Sequence, residues 1–176
     1  MTSPHRHKAL PSVSLLWDLF SYDPFSGDLY WRYQTSIRTN LNKPAGNTTK
    51  NGYKTVCISY TKYLQHRVVW AWLSGYDPAD KQIDHIDRNR KNNTYWNLRL
   101  ASNLQNGFNA GRSNNTSGHR GVHWYSARNK WQVYVSVDKK RRHIGYFSDY
   151  ADAVKAYQEA ISIHLPDCIN YLPQAS

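Results

Sequence analysis

Asp84 and His85 stand side by side in a segment of the chain that is rich in asparagine. Hydrolysis of a phosphodiester needs a base that activates water and a cation that neutralises the charge developing on the phosphate. Histidine is the natural base near neutral pH, and a carboxylate with an amide oxygen suits Mg²⁺. The pair therefore indicates metal-dependent phosphodiester hydrolysis, although an exposed turn is the alternative that the dipeptide alone leaves open. Because neighbouring side chains of a strand point to opposite faces, we expect the pair at an irregular turn.

The region around this pair resembles the HNH endonucleases of homing and phage type, in particular the subgroup whose last catalytic position is asparagine. The resemblance runs from about Tyr22 to Asn109 and depends on several short motifs in one order. These motifs are YDPFSGDLYW at 22–31, HRVV at 66–69, IDHID at 83–87, NN at 92–93, NLR at 97–99 and QN at 105–106.

The resemblance implies a role for each matching position. His85 is the expected general base, and Asp84 and Asn106 are the expected ligands of one divalent metal. Asn97 is expected to brace the loop that carries the histidine. A ligand set without imidazole favours Mg²⁺ or Mn²⁺ over Zn²⁺, and Asn109 stays open as the alternative to Asn106.

Further residues of this region are assigned less directly by the same resemblance. His66, Arg67 and Arg99 are predicted to contact DNA, with a structural role left open for His66 and Arg99. Asp87 and Asn89 are predicted to form a turn rather than to bind the metal.

The positions around the motifs predict the elements that must hold them. Helical spacing of apolar residues predicts helices at 12–20 and 66–74, with a short helix inside 98–109. Alternating patterns predict strands at 29–33 and 53–60, separated by a polar loop at 35–51. The resemblance implies that these elements belong to an HNH nuclease domain with a ββα-metal unit, assigned to residues 12–111 after a tail at 1–11.

A second pattern follows a small polar linker at 112–118. Strands are predicted at 121–125, 131–137 and 141–147, and an amphipathic helix at 149–164. Such a three-stranded antiparallel sheet packed on one helix is a complete small domain, here assigned to 119–165 before a tail at 166–176. The fold class is therefore α+β in both parts.

Positive charge is concentrated in and around the predicted sheet of this second domain, on its strands and on the turns between them. The whole chain carries a formal net charge of +11 with neutral histidines. Residues 112–147 contain the single acid Asp138 against a basic set of Arg112, Arg120, Arg128, Lys130, Lys139, Lys140, Arg141 and Arg142. Basic strands followed by an acidic helix are typical of a one-sided reader of nucleic acid.

The same stretch resembles the plant ethylene-response-factor (APETALA2-type) DNA-binding domain, which also occurs beside HNH nucleases in phages. The match is carried by SGHRGV at 117–122, KW at 130–131, HIGYF at 143–147 and the alanines of the helix. The resemblance implies that the sheet enters the DNA major groove. The candidate DNA contacts are Arg120, Trp124, Arg128, Lys130, Lys140 and Arg142. The sequence after RGV departs from the plant pattern, so no target sequence is carried over.

The function expected from both resemblances is a site-directed endonuclease that nicks or cuts double-stranded DNA with one divalent metal and a histidine base. The alternatives are a non-catalytic DNA-binding protein with a decayed nuclease fold and a nuclease that acts on RNA or without sequence preference. The N-terminus lacks the apolar core of a signal peptide, which predicts a cytoplasmic, non-secreted protein. Single-copy motifs favour a monomer. No membrane partner is expected, because no apolar run approaches the ~20 residues that span a bilayer.

Overall fold

A computed structural model describes residues 8–109 and 117–172, and the chain divides after Asn103 into two compact units. Residues 1–7, 173–176 and most of the predicted linker at 112–118 lie outside the described residues, so the domain boundary stays a prediction. The C-terminal tail predicted at 166–176 is structured over Pro166–Tyr171, a short 3₁₀ helix whose Cys168 is buried in the core of the second unit. Within the described residues, no helix is both long and apolar enough to cross a membrane.

The first unit combines two helices with three small antiparallel sheets, β1–β2, β3–β4–β5 and β6–β7. Its elements are α1 (Val13–Leu19), β1 (Phe20–Asp23), β2 (Asp28–Trp31), β3 (Asn47–Thr48), β4 (Lys54–Ile58), β5 (Thr61–Leu64), α2 (Gln65–Ser74), β6 (Gln82–His85) and β7 (Leu98–Ala101).

Local sequence explains where the two helices of this unit begin and end. The Ser12 hydroxyl accepts a hydrogen bond from the Leu15 N–H and caps α1. α2 ends at Gly75, whose φ of 79° is a left-handed conformation that glycine adopts without strain. The core between them is aliphatic and aromatic, with Leu16, Phe20 and Val69 fully buried.

The Asp84–His85 pair is placed differently from the irregular turn that we expected. Both residues belong to β6, and they pair in regular antiparallel register with Arg99 and Leu98 of β7. The irregular backbone begins only at Ile86, because the ladder continues through His85 and the long connection from 86 to 97 starts after it. The strand itself therefore fixes the backbone of both residues.

The turn between β1 and β2 packs tightly against the connection that follows β6. Gly27 has φ +72°, and a Cβ atom there would lie 2.4 Å from the backbone of both Asn93 and Thr94. The Tyr22 hydroxyl donates to the Asn93 carbonyl at 3.2 Å and accepts from the Tyr95 N–H at 3.0 Å. The β1–β2 hairpin thus supports the segment that contains Asn93.

Replacing Gly27 with alanine is expected to lower the free energy of unfolding by about 2 kcal/mol or more, because left-handed strain and a backbone clash add. Gly75→Ala is the matched control: its φ is equally positive, but nothing lies within 4 Å of the added Cβ. That variant is expected to cost only about 1 kcal/mol. Urea unfolding of both variants measures the difference, and equal losses would contradict the proposed close contact.

The second unit is a three-stranded antiparallel sheet with a helix on one face, as the sequence predicts. Its strands run in the order β10–β9–β8. The elements are α3 (Asn103–Asn109), whose first residue closes the first unit, β8 (Val122–Tyr125), β9 (Lys130–Val137), β10 (Lys140–Phe147) and α4 (Tyr150–His164). The Asp149 carboxylate caps α4 by accepting from the Ala151 and Asp152 N–H groups.

The core of this unit lies between the sheet and α4. Val122, Val133 and Val135 contribute the strand side, and Tyr157 and Ile161 contribute the helix side. The predicted alternation along β9 is therefore confirmed, because alternate residues of that strand enter the core.

Candidate active site and nucleic-acid face

His85 is the centre of a buried polar cluster in the first unit. Its side chain is 4% exposed, and its Nε2 lies 3.0 Å from Oδ1 of Asn93. The His66 ring meets the His85 ring edge-on at a centroid distance of 5.1 Å. Burial lowers the pKa of His85, although the contact with Asn93 acts in the opposite direction. The imidazole is therefore neutral at pH 7 and able to accept a proton.

Asp84 is held by an arginine on the neighbouring strand. Its Oδ2 accepts from Arg99 Nε at 2.9 Å and from Arg99 Nη2 at 2.8 Å, so both bonds come from one guanidinium. The two residues face each other in the β6–β7 register. Arg99, predicted as a DNA contact, thus orients the predicted metal ligand in this structure, and its contact with DNA stays a prediction.

Asn97 connects the two ends of the loop that follows His85. Its Nδ2 donates to Asp87 Oδ1 and to the Asn92 carbonyl, both at 2.8 Å, and its Oδ1 accepts from the Asp87 N–H at 2.9 Å. These bonds are those that a loop-bracing asparagine would make.

Asp87 is satisfied within the same loop. Besides Asn97, its carboxylate accepts from the Asn89 N–H at 2.7 Å and from Asn92 Nδ2 at 2.8 Å. Burial tends to raise the pKa of Asp87, but the hydrogen bonds outweigh it and the pKa is lowered. These contacts fit the predicted turn-forming role of Asp87 and Asn89.

His66 and Arg67, predicted as DNA contacts, are both buried at the start of α2. The Arg67 guanidinium donates to the Lys81 carbonyl at 2.9 Å, to the Ala79 carbonyl at 2.8 Å and to Asp77 Oδ1 at 3.2 Å. Arg67 therefore ties α2 to the segment that leads into β6. The strong motif HR was visible in the sequence, but nothing local distinguished a buried from an exposed arginine.

The donors available for a divalent cation are oxygen atoms. Asp84 supplies a buried carboxylate in the first unit, and Asn106 lies on α3 in the second unit, as does the alternative Asn109. Among residues 8–109 and 117–172, no group of three or more His, Cys, Asp and Glu side chains could hold a metal. A carboxylate with amide oxygens fits a hard cation by its donor chemistry.

The β8–β10 sheet has an outer face that carries basic and aromatic side chains. Residues paired across antiparallel strands share a face, so the partners of Val133 and Val135 lie on the helix side. The remaining register positions define the outer sheet face, which consists of His123, Tyr125, Lys130, Gln132, Tyr134, Ser136, Arg141, His143 and Tyr146.

Arginines stack on the tyrosines of this outer sheet face. The Arg141 guanidinium lies 3.7 Å from the Tyr134 ring centroid, and the Arg128 guanidinium lies 4.6 Å from that of Tyr146. The His143 ring is within 5.0 Å of Tyr134 and 4.7 Å of Tyr146 by centroid distance. Stacked arginines keep their in-plane N–H donors available for phosphate or base edges.

The predicted DNA contacts are distributed over both sides of the sheet. Lys130 lies on the outer sheet face, and Arg128 stacks on Tyr146 of the same face. Trp124, Lys140 and Arg142 pair with Trp131, Val137 and Val135 and therefore share the helix side. Arg120 donates to the Gly107 carbonyl and stacks on Phe108 at 4.4 Å.

Arg141, Tyr134, His143 and Tyr146 were not among the sequence-based candidates. The signal that could have found them is strand parity. Once Val133 and Val135 are assigned to the core, Tyr134 must face outward, and the register then carries the assignment to Arg141 and His143.

The comparisons with known proteins agree with the cluster around Asp84 and His85. The HNH endonuclease family model matches residues 63–108. The chain is 42% identical over 74 residues to a protein of Acanthamoeba polyphaga mimivirus named as an uncharacterised HNH endonuclease, a match that covers 42% of this chain and 39% of that protein. It is 36% identical over 85 residues to Protein 3.8 of Escherichia phage T7, covering 48% of this chain and 70% of the phage protein.

No solved structure matches the chain, and none of the comparisons supports the expected APETALA2-type domain in the second unit. The family match contains the histidine, its neighbouring carboxylate and the bracing asparagine. The chain belongs to the HNH endonuclease family.

Proposed function

We propose that the protein is a metal-dependent DNA endonuclease of homing or phage type, with His85 as the general base. The observation that carries the proposal is the buried imidazole of His85, which follows Asp84 in the same strand, together with the carboxylate of Asp84 that Arg99 orients. A neutral histidine can take the proton from an attacking water, and the products would carry 5′-phosphate and 3′-hydroxyl ends.

The metal would be held by Asp84 together with Asn106, and Mg²⁺ or Mn²⁺ is the ion that oxygen donors select. When bound, a divalent cation neutralises charge on the phosphate and on the leaving oxygen. Arg99 holds Asp84 in one orientation, and Asn97 holds the loop that begins after His85. These residues would keep the base and the ligand in place, and Arg99 stays a predicted DNA contact as well.

Cleavage of supercoiled plasmid, and of the DNA that flanks the protein's own gene, tests the proposal. Nicked or linear product with Mg²⁺ and none with EDTA is the expected result, and Asp84→Ala is expected to bind DNA without cutting it. Tight duplex binding without cleavage under any divalent ion would favour the non-catalytic DNA-binding protein instead. Cleavage of RNA but not of DNA would show that the substrate is RNA instead.

The second unit is proposed to bind duplex DNA through its outer sheet face. The net charge of +11 attracts a polyanion, and stacked arginines on a sheet suit contacts in a groove. An APETALA2-type role for this unit is part of the same proposal. The arrangement would position the nuclease on its target as a monomer.

Arg141→Ala is expected to weaken DNA binding and to lower the slope of log K against log salt by about one, the value of one lost phosphate contact. Arg142→Ala is the matched control, because it removes the same charge from the next residue of β10 on the opposite face. Fluorescence anisotropy at several salt concentrations measures both variants. A larger effect of Arg142→Ala would place the DNA on the helix side and would support the sequence-based candidate Arg142 instead.

A further inference from the structure

A chain of three hydrogen bonds runs through the interior of the first unit and ends at His85. Gln65 Nε2 donates to the Ala45 carbonyl at 3.1 Å, Asn93 Nδ2 donates to Gln65 Oε1 at 3.1 Å, and His85 Nε2 lies 3.0 Å from Asn93 Oδ1. Both amide side chains are fully buried, at 0% exposure. We call this chain the amide relay.

The amide relay has only one possible direction, because it begins at a group that can only accept. A backbone carbonyl has no proton, so Gln65 must turn its NH₂ group toward Ala45 and its oxygen toward Asn93. That oxygen requires the NH₂ group of Asn93, which leaves only the Asn93 oxygen for the histidine. His85 Nε2 must therefore be the donor.

We propose that Gln65 and Asn93 are positioning residues that hold His85 in the tautomer protonated on Nε2, which leaves Nδ1 as the atom that accepts the proton. The general base of the proposed reaction is then defined to the atom. The catalytic meaning of this inference rests on the proposed nuclease function, whereas the tautomer itself does not.

Rotating either amide does not give a second solution. Turning Asn93 alone would oppose two oxygens across its contact with Gln65, and turning both would oppose Gln65 Oε1 and the Ala45 carbonyl oxygen. Water cannot repair such a mismatch, because both side chains are sealed from solvent. The amide relay therefore resists the reversal that an exposed amide undergoes easily.

The surroundings also fix the two amides in place. Gln65 is the first residue of α2, so its backbone is set by the helix. The Asn93 backbone packs closely against the Gly27 turn, and its carbonyl accepts a hydrogen bond from the Tyr22 hydroxyl. A proton acceptor that is aimed by rigid neighbours loses little rate to misorientation.

The test is ¹⁵N NMR of the full-length, metal-free protein labelled at histidine, at mildly alkaline pH. The imidazole nitrogens of His85 report which nitrogen carries the proton, and the His85→Gln spectrum assigns the signals. Wild type is expected to show a protonated Nε2 and an unprotonated Nδ1. A wild-type spectrum with protonated Nδ1 would overturn the proposal before any relay variant is made.

Three variants separate positioning from packing. Asn93→Leu removes the acceptor, and Gln65→Met breaks the anchor to Ala45, so both are expected to give a mixture of tautomers. Asn93→Asp loses the donor to Gln65 Oε1 and opposes two oxygens there, but it still accepts from Nε2 and is therefore expected to keep the wild-type tautomer in a less stable protein. Val69→Ala perturbs the same helix in the core without touching the amide relay, and it is the control for general destabilisation.

Cleavage kinetics supply the second readout. Asn93→Leu is expected to lower kcat by roughly 10- to 100-fold with little change in KM, the scale of lost supporting contacts around a reactive group, and Asn93→Asp is expected to recover part of the loss. An unchanged tautomer in Asn93→Leu and Gln65→Met would refute the positioning role. A wild-type protein with the expected tautomer and no cleavage would refute the proposed function and leave the amide relay intact.

Discussion

Replacing His85 with alanine is expected to lower the rate of DNA cleavage by about 10²- to 10⁴-fold, the usual contribution of a general base. DNA affinity is expected to stay near that of the wild type, because His85 is buried and the basic residues of the outer sheet face are unchanged. The imidazole is suited to this work since burial lowers its pKa and keeps it neutral at pH 7.

Single-turnover cleavage with saturating protein and Mg²⁺ measures the chemical step apart from binding. His85→Gln keeps a side-chain donor in the buried cluster but supplies no base, so it controls for the empty space that alanine leaves. His164→Ala, on α4 of the second unit, is the matched histidine control and is expected to cut at the wild-type rate. A cleavage rate in His85→Gln within a few fold of wild type would exclude His85 as the base.

Local sequence patterns were sufficient for much of the fold. The Ser12 cap, the glycine at position 75 and the acidic cap at Asp149 each satisfy backbone groups within a few residues, so their effect is encoded nearby. The alternation of Val133 and Val135 also reveals a buried strand face without knowledge of its partners. The α-helices and the strands of the second unit follow from such short-range effects, whereas the strands β1, β3, β6 and β7 were not predicted.

Local sequence patterns could not predict which side chains of the second sheet lie on its helix side and which lie on its outer face. A strand alternates with period two, but which of its faces meets the core depends on pairing with another strand. In β10 the register also shifts between His143 and Gly145, so alternation counted from Phe147 assigns Arg141 and Arg142 to the wrong sides. Whether Arg141 or Arg142 contacts DNA stays a prediction that the binding measurements on the two variants decide.

The residues of the candidate site were likewise predictable only in part. The motif that carries Asp84, His85 and Asn97 is contiguous enough to be seen in the sequence. Gln65 was not selected and Asn93, although part of the NN motif, was given no role, because their bonds join residues that are 20 and 28 positions apart. An amide becomes a positioning group only when the fold buries it, and no residue pattern announces that burial.

Replacing Arg67 is expected to cause a large loss of stability. Its guanidinium is 3% exposed and donates to two backbone carbonyls and one carboxylate of the segment from 77 to 81, which leads directly into β6. Burial lowers the pKa of Arg67, while the charge of Asp77 opposes that shift. Removing the guanidinium leaves buried acceptors without partners, and each such loss is costly.

Arg67→Met keeps the apolar stem but is expected to reduce the free energy of unfolding by about 3 kcal/mol, the lower range for breaking a buried pair. Arg32→Met is the matched control, because Arg32 is exposed and donates to a single carbonyl, that of Trp17. It is expected to change stability by no more than about 0.5 kcal/mol. Urea unfolding measures both variants.

DNA binding by the same two variants decides between the structural and the nucleic-acid roles of Arg67. A buried clamp predicts that Arg67→Met weakens binding only in step with its loss of folded protein, so that affinity under strongly stabilising conditions returns to the wild-type value. A stable Arg67→Met protein with weakened binding and a reduced salt slope would instead make Arg67 a phosphate contact. The second result requires the guanidinium to leave its hydrogen bonds to Lys81, Asp77 and Ala79, and the geometry of the 77–81 segment therefore favours the first.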